Sequence, residues 1–345
     1  MELDWIKNNI LLVLLSVSII LVFVFGPGLI NGISYGGTSN MQKAPEIGGI
    51  SNWINSQPLN ISGLRGKVVL VDFWTYSCIN CIRTLPYIKA WQEAYADKGL
   101  VIIGVHTPEF DFEKNYDNVK NFVDKNGIKY AVAMDNDYVT WGNYNNNYWP
   151  RKYIVDAKGF IRYDHIGEGG YEETEKIIQK LLVEANSSLT SLITTNVSGV
   201  QPGFIQTPEI YFGYNFARQN IGNAEGLQPE KVVDYKPVHV TQDNVAYLEG
   251  SWKINGDNAE LKSDAGAVRL IYTAKSVNIV AGGNATLEIL VDGAQKDAGS
   301  DIINKNTINI DGFRLYNIVS SGASGKHLVE INATGSLMLY TFTFG

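Results

Sequence analysis

Two cysteines occur in the chain, Cys78 and Cys81, three positions apart. A secreted disulfide scaffold would spread several pairs along its length, and a disulfide across so short a loop constrains little. The pair therefore reads as a reactive dithiol. Structural zinc would need two further ligands, and His106, His165, His239 and His327 show no ligand spacing with one another or with the cysteines. No metal and no cofactor beyond the dithiol is expected.

The neighbouring elements say how such a pair would work. Residues 67–74 form a near-continuous, β-branched apolar run, the pattern of a buried central strand. The run leads straight into Cys78-Ile79-Asn80-Cys81, where helical periodicity begins and continues to residue 97. Cys78 would then sit at a helix N-terminus, where unpaired N–H groups and the helix dipole favour negative charge. A lowered thiol pKa and a nucleophilic Cys78 are expected. Cys81, one turn on, is placed to resolve a mixed disulfide at Cys78. Asp72 lies inside the apolar strand and is expected to be a buried acid with a raised pKa. Trp74 and Tyr76 are candidates both for a substrate groove and for core packing. Arg83 and Glu109 are expected to be solvated.

The remaining pattern frames this centre. Strands are expected at 100–106 and 131–134, helices at 114–126 and 172–184, and a hairpin joins 152–156 to 160–166 through Ala157-Lys158-Gly159. The alternation implies an α/β fold with a mixed sheet covered by helices, over residues 45–185. Residues 186–206, rich in Ser, Thr, Asn and Gly, read as a linker. From 207 to 345 the helical period disappears. Short strands at 268–273, 276–280, 286–291, 307–310, 326–332 and 336–344, punctuated by Gly282-Gly283, Asp292-Gly293 and Asp311-Gly312, suggest an antiparallel β-sandwich.

At the other end, residues 10–25 are apolar apart from two serines, and no charge occurs between Lys7 and Lys43. A run of about 20 residues spans a bilayer as one helix. A cleaved signal peptide is the competing reading, but its apolar region is shorter and an Ala-x-Ala site would follow. Residues 1–30 are therefore expected to be a tail and transmembrane anchor, 31–44 a tether, and the rest extracytoplasmic. Sequons at Asn60, Asn186, Asn196, Asn284 and Asn332 agree with an external location. The net charge of −7, without a basic run, argues against a nucleic-acid partner.

The stretch Val71-Asp72-Phe73-Trp74 before the dithiol, Pro86 five residues after Cys81, and Trp149-Pro150 before the strand at 152–156 resemble the thioredoxins. The resemblance implies that Asp72 assists proton transfer at Cys81 and that Pro86 kinks the helix. It also implies that Pro150 is a cis-proline facing the dithiol, with Trp149 in the substrate groove beside Trp74 and Tyr76. Trp74-Thr75-Tyr76-Ser77-Cys78-Ile79-Asn80-Cys81-Ile82-Arg83-Thr84-Leu85-Pro86-Tyr87, His106-Thr107-Pro108-Glu109-Phe110 and Thr207-Pro208-Glu209-Ile210-Tyr211-Phe212-Gly213-Tyr214 are similar to the DipZ-type, TlpA-like family. That implies a thioredoxin fold with an insertion over residues 113–142, then a jelly roll similar to carbohydrate-binding modules. DipZ-type proteins carry a multi-span CcdA-like domain in the same chain, whereas one apolar run is present here, so either a separate CcdA/DsbD-like membrane electron donor is implied or there is no dedicated donor.

Three functions compete. The first is reduction of disulfides in exported proteins, for example during cytochrome c maturation. The second is peroxide reduction, since Thr75-x-x-Cys78 matches part of a peroxiredoxin motif, although Val71 stands where that motif has proline. The third is a glycan-binding or scaffolding ectodomain with a vestigial dithiol, in which Tyr211, Tyr214, Tyr247, Trp252, Tyr272 and Tyr316 would stack on sugars.

Overall fold

A strand buried on both faces sets up the first half of the molecule. The computed structural model describes residues 41–189, 192–199 and 204–345. After a short edge strand β1 (Asn52–Ile54), strand β2 (Val68–Trp74) is buried along its whole length. Its even-numbered residues Val68, Leu70 and Trp74 pack on the face covered by helices, and Val69, Val71 and Phe73 on the other. A period of two therefore sends Asp72 to the helix face. Helix α1 (Ile79–Tyr95) follows and contains Pro86. Strand β3 (Leu100–His106) runs parallel to β2, with Asp72 opposite Gly104. Helix α2 (Tyr116–Lys125) starts at Asn115, whose side chain accepts from the Asn118 N–H at 3.1 Å, a normal N-cap bond.

Strand β4 (Ala131–Met134) and the single turn α3 (Val139–Asn143) complete the stretch expected as an insertion. β4 lies parallel to β3 and antiparallel to β1, so the stretch widens the sheet. Strands β5 (Arg151–Val155) and β6 (Ile161–Ile166) form the expected hairpin, and β5 pairs antiparallel with β2. Helix α4 (Tyr171–Ala185) closes this half. The sheet order is β1-β4-β3-β2-β5-β6, which puts β2 between its parallel and antiparallel neighbours.

The second half is all β. It comprises β7 (Ile210–Tyr211), β8 (Val232–Tyr235), β9 (Ala246–Ile254), β10 (Ala259–Leu261), β11 (Ala265–Val291), β12 (Thr307–Ile310) and β13 (Arg314–Phe344). Here the expected chain of short strands is corrected. The segments at 268–273, 276–280 and 286–291 are parts of the single 27-residue strand β11, and those at 326–332 and 336–344 lie within the 31-residue β13. The two long strands pair along their length and switch partners at irregularities between Ala274 and Ala281. Gly282-Gly283 marks a bend within β11, not a turn. Gly283 has φ +110°, and a Cβ there would meet the Ser336 carbonyl oxygen at 2.2 Å, so glycine lets the paired strands close up. Because β11 pairs with both β13 and β9, and β10 bridges β13 to β9, the sheet curls into a barrel-like wall. Its interior holds Trp252, Tyr272, Tyr316 and Phe342.

Residues Gln42–Gly345 make one compact unit. The expected linker is anchored partway. The Tyr95 hydroxyl donates to the Ile193 carbonyl at 2.8 Å, and Glu175 accepts from the N–H and hydroxyl of Thr195 at 2.7 and 3.1 Å. At Gly199 a Cβ would lie 2.0 Å from the Tyr87 hydroxyl oxygen, so the strap runs directly over α1. A second apolar cluster joins the halves: Phe110, Val280 and Tyr340 are buried together, with Phe112, Phe216 and Phe313 against them. The apolar run at residues 10–25 and most of the tether lie outside the described residues. Among the described residues, no helix is long and apolar enough to cross a membrane.

Candidate active site

Strand β2 ends at Trp74 and the chain turns through Thr75-Tyr76-Ser77 to Cys78, the N-cap of α1. Cys78 has extended backbone angles (φ −78°, ψ 113°), and its Sγ accepts from the Cys81 N–H at 3.2 Å. This is the expected helix-end placement, with one otherwise unpaired N–H aimed at the sulfur. Both cysteines are free thiols; Cys78 is half-buried and Cys81 buried. The expected low thiol pKa is not met. Burial pushes the Cys78 thiol up, as does sharing the site with Cys81, and these outweigh the downward pull of the Cys81 N–H.

Behind the dithiol lies Asp72, 1% exposed, its carboxyl pushed up to about 6 by burial and pulled back by the Lys152 ammonium. Lys152 is its cross-strand partner on β5 and is fully buried, with Nζ 3.9 Å from Oδ1. That is a Coulomb contact without a hydrogen bond. Both atoms, and the nearby Tyr130 hydroxyl, lack a hydrogen-bond partner among the described residues. Burying unpaired polar atoms is costly, and such sites concentrate where chemistry needs a shifted pKa.

The Trp149–Pro150 peptide is cis, and Pro150 precedes β5 directly. Since Arg151 pairs with Phe73, this bond sits at the strand end from which the dithiol turn emerges. Trp149 is half-buried, packs on Trp141 with the rings tilted at 37° and their centroids 4.3 Å apart, and donates from Nε1 to the Thr107 carbonyl at 3.0 Å. Trp74 and Tyr76 are core residues instead of groove residues. Both are buried and flank His106, with ring centroids 5.2 and 5.8 Å away, because the β half covers the side on which Tyr76 lies. The Tyr76 hydroxyl donates to the Phe313 carbonyl of that half at 3.1 Å.

Two residues expected in solvent are held instead. Arg83 makes a bidentate pair with Glu168, both contacts at 2.8 Å, and also donates to Asn80 between the cysteines. Glu109 accepts from the Tyr211 hydroxyl at 2.7 Å, and burial with the nearby Glu113 charge pushes its carboxyl up to about 8. Lys152 and Glu113 escaped sequence reasoning. For Lys152 the signal was present, as a lysine within an otherwise buried strand two residues past Pro150. Of the aromatics proposed for sugar stacking, Tyr247, Trp252, Tyr272 and Tyr316 are buried; Tyr214 is exposed and Tyr211 is half-buried under Arg218.

A redox dithiol delivered by a central strand of a mixed sheet onto a helix N-terminus is the arrangement of a thioredoxin-like fold. Residues 41–164 match the AhpC/TSA family, and residues 207–345 match the family described as thioredoxin like C-terminal domain. The chain is 38% identical over 307 residues to protein DipZ of Mycobacterium bovis, covering 88% of this chain and 43% of that protein, so it spans less than half the length of this relative. It is 30% identical over 128 residues to the thiol-disulfide oxidoreductase ResA of Bacillus thuringiensis, covering 37% of this chain and 71% of that one. The solution structure of a thioredoxin-like protein in the oxidized form is 26% identical, with a TM-score of 0.39, over 43% of this chain and 99% of that chain. The chain belongs to the DipZ/TlpA-like thioredoxin family.

Proposed function

We propose that the protein is an extracytoplasmic, membrane-anchored thiol–disulfide oxidoreductase that reduces disulfides of exported proteins. Cys78 attacks a substrate sulfur as the thiolate, forming a mixed disulfide and releasing the first substrate thiol. Asp72, its pKa of about 6 suited to taking a proton near neutral pH, receives the Cys81 proton. Cys81 then attacks Cys78 Sγ, the second substrate thiol leaves, and a Cys78–Cys81 disulfide remains. Two electrons have passed to the substrate. A CcdA/DsbD-like membrane donor would return them.

The observation that carries the reading is the dithiol at the N-terminus of α1, with Cys78 Sγ on the Cys81 N–H at 3.2 Å; the raised Cys78 thiol supports the reducing direction. Oxidants of this class owe their potential to a stabilised reduced thiolate, so a thiolate destabilised by burial marks a reductant. Pro150, at the same sheet end, is the docking point for the substrate backbone. The apolar run at residues 10–25 and the likeness to DipZ support the membrane placement. We take the curled β half as the jelly roll of this family; sugar stacking there would have to use groups other than the buried Tyr247, Trp252, Tyr272 and Tyr316.

The test is reduction of insulin by the purified protein, with turnover lost in Cys78→Ser. Normal turnover in that variant rejects the proposal. Peroxidase action is the second reading, favoured by the AhpC/TSA match. Val71 at the position of the peroxiredoxin proline counts against it, as does the Thr75 hydroxyl, which is engaged with His106 Nε2 at 3.3 Å. Rapid consumption of hydrogen peroxide by Cys78 would promote it.

A further inference from the structure

The turn that presents Cys78 has little backbone support of its own. Between Thr75 and Cys78 there is one backbone bond, Cys78 N–H to the Thr75 carbonyl, and at 3.4 Å it is long. Side chains must therefore define the turn. The closest grip is on Ser77, the residue before the nucleophile. Its N–H and hydroxyl both donate to Glu113 Oε1, at 3.3 and 2.6 Å. The other carboxylate oxygen, Oε2, accepts from the N–H groups of Glu109 and Phe110 at 2.6 and 3.0 Å. Glu113 is fully buried and takes no part in the proton or electron transfers proposed above. A carboxylate accepts at both oxygens, and these hydrogen bonds pull down against the burial that raises the Glu113 carboxyl; an amide of the same shape would turn a donor toward one pair.

The second pair matters as much as the first. Phe110 is buried against Val280 and Tyr340 of the β half, and Glu109 accepts from Tyr211 on β7. One carboxylate thus ties the nucleophile turn to the short loop on which the β half rests.

We infer that Glu113 is a positioning residue for Cys78: it fixes the Thr75–Cys78 turn so that Sγ meets the Cys81 N–H, and it braces that turn against the β half. The inference rests on the assignment of Cys78 as nucleophile.

The test compares the full chain with Glu113→Gln, Ser77→Ala and the double variant, each checked for a native circular-dichroism spectrum. Two readouts are used: the pH profile of Cys78 alkylation by iodoacetamide, and the equilibrium constant of the dithiol against glutathione. The titratable groups facing Cys78 are Cys81 and Glu109. In Glu113→Gln the alkylation midpoint is expected to rise, because Sγ loses a fixed N–H donor. The equilibrium constant is expected to change about tenfold, or about 30 mV. Ser77→Ala should give about a third of the change on a logarithmic scale, and the double variant no more than Glu113→Gln alone, since both act through one contact. A midpoint that falls would mean that Glu113 acts by its charge, and overturns the inference. So would an unchanged profile, or strict additivity. If Glu113→Gln does not fold, Ser77→Ala decides by itself: wild-type profile and potential reject the inference. Failure of the reductase reading would show separately, as absent insulin turnover by the wild-type chain.

Discussion

The two halves of the molecule bury different kinds of residue. In the α/β half the buried set includes Asp72, His106, Glu113, Asp135, Lys152, Asp156 and Glu175. In the β half, from Thr207 on, the buried polar residues are Thr207, Asn223, Asn258, Asn278, Asn306, Ser321, Thr341 and Thr343, with no Asp, Glu, Lys, Arg or His among them. Buried charge destabilises unless paired, and is retained where a shifted pKa or a fixed geometry is useful. The contrast assigns the chemistry to one half and the role of rigid frame to the other.

If that is right, damage to the two halves should differ in kind. The largest effect belongs to the frame. Trp252→Ala, at a fully buried site in the β core, should cost about 3–5 kcal/mol in urea unfolding. That loss should be the same at acid and neutral pH, because no buried ionisable side chain of that half titrates with it. A strongly pH-dependent loss would break the contrast.

Asp72 tests the other half. Its pKa is about 6 folded against 3.8 unexposed to burial, so the folded state binds the proton more tightly. Its contribution to stability is therefore greatest below about pH 4 and is lost as pH rises through about 6. Between about pH 4.5 and 7.5 wild type should lose roughly 2 kcal/mol that Asp72→Asn does not lose. Parallel curves for the two proteins would show that Asp72 does not carry the burial penalty. The absolute stability of the variant is a separate matter, since it leaves Lys152 buried without its partner.

Glu109 should behave alike at the seam between the halves, with its folded pKa near 8. Stability is lost as pH rises from about 4.5 through about 8, and Glu109→Gln should flatten that decline, read by urea unfolding. The smallest effect is at Tyr76→Phe, which removes one hydrogen bond to Phe313. About 0.5–1.5 kcal/mol is expected, read by thermal or urea unfolding.

The contrast also explains what could be read from the residues alone. Strands at 100–106 and 131–134 match the structure to the residue, and helix α4 differs by one residue at each end, because their residues are apolar without break or at helical spacing. β1 and α3 were missed, being too short to show a period. The cysteine pair, Asp72 and Pro150 were legible because each is unusual for its setting. Glu113, Glu109 and Arg83 were not, since acidic and basic residues beside turns ordinarily face water. The β half packs beside the first two, at Phe110 and Tyr211. The direction of the Cys78 shift failed for the same reason: helix position is visible in sequence, whereas desolvation by distant chain is not. In the β half, periodicity located stretches of β11 and β13 and all of β12, but it missed β7, β8, β9 and β10 and the continuity of β11 and β13, which depends on a glycine bend instead of a turn.

The strap over α1 changes how the two halves count as binding modules. Two domains on a free linker meet with an effective concentration set by the linker's length, and each loses orientation whenever the other lets go. Here the connection is pinned at Ile193 and Thr195 to Tyr95 and Glu175, within the half that bears the dithiol. Any ligand that the β half held would therefore reach the thiols with its orientation already restricted, and lengthening the linker between Asn186 and the Ile193 anchor point would leave that geometry largely unaltered. In kinetic terms the second encounter is closer to an intramolecular step at fixed separation than to a search.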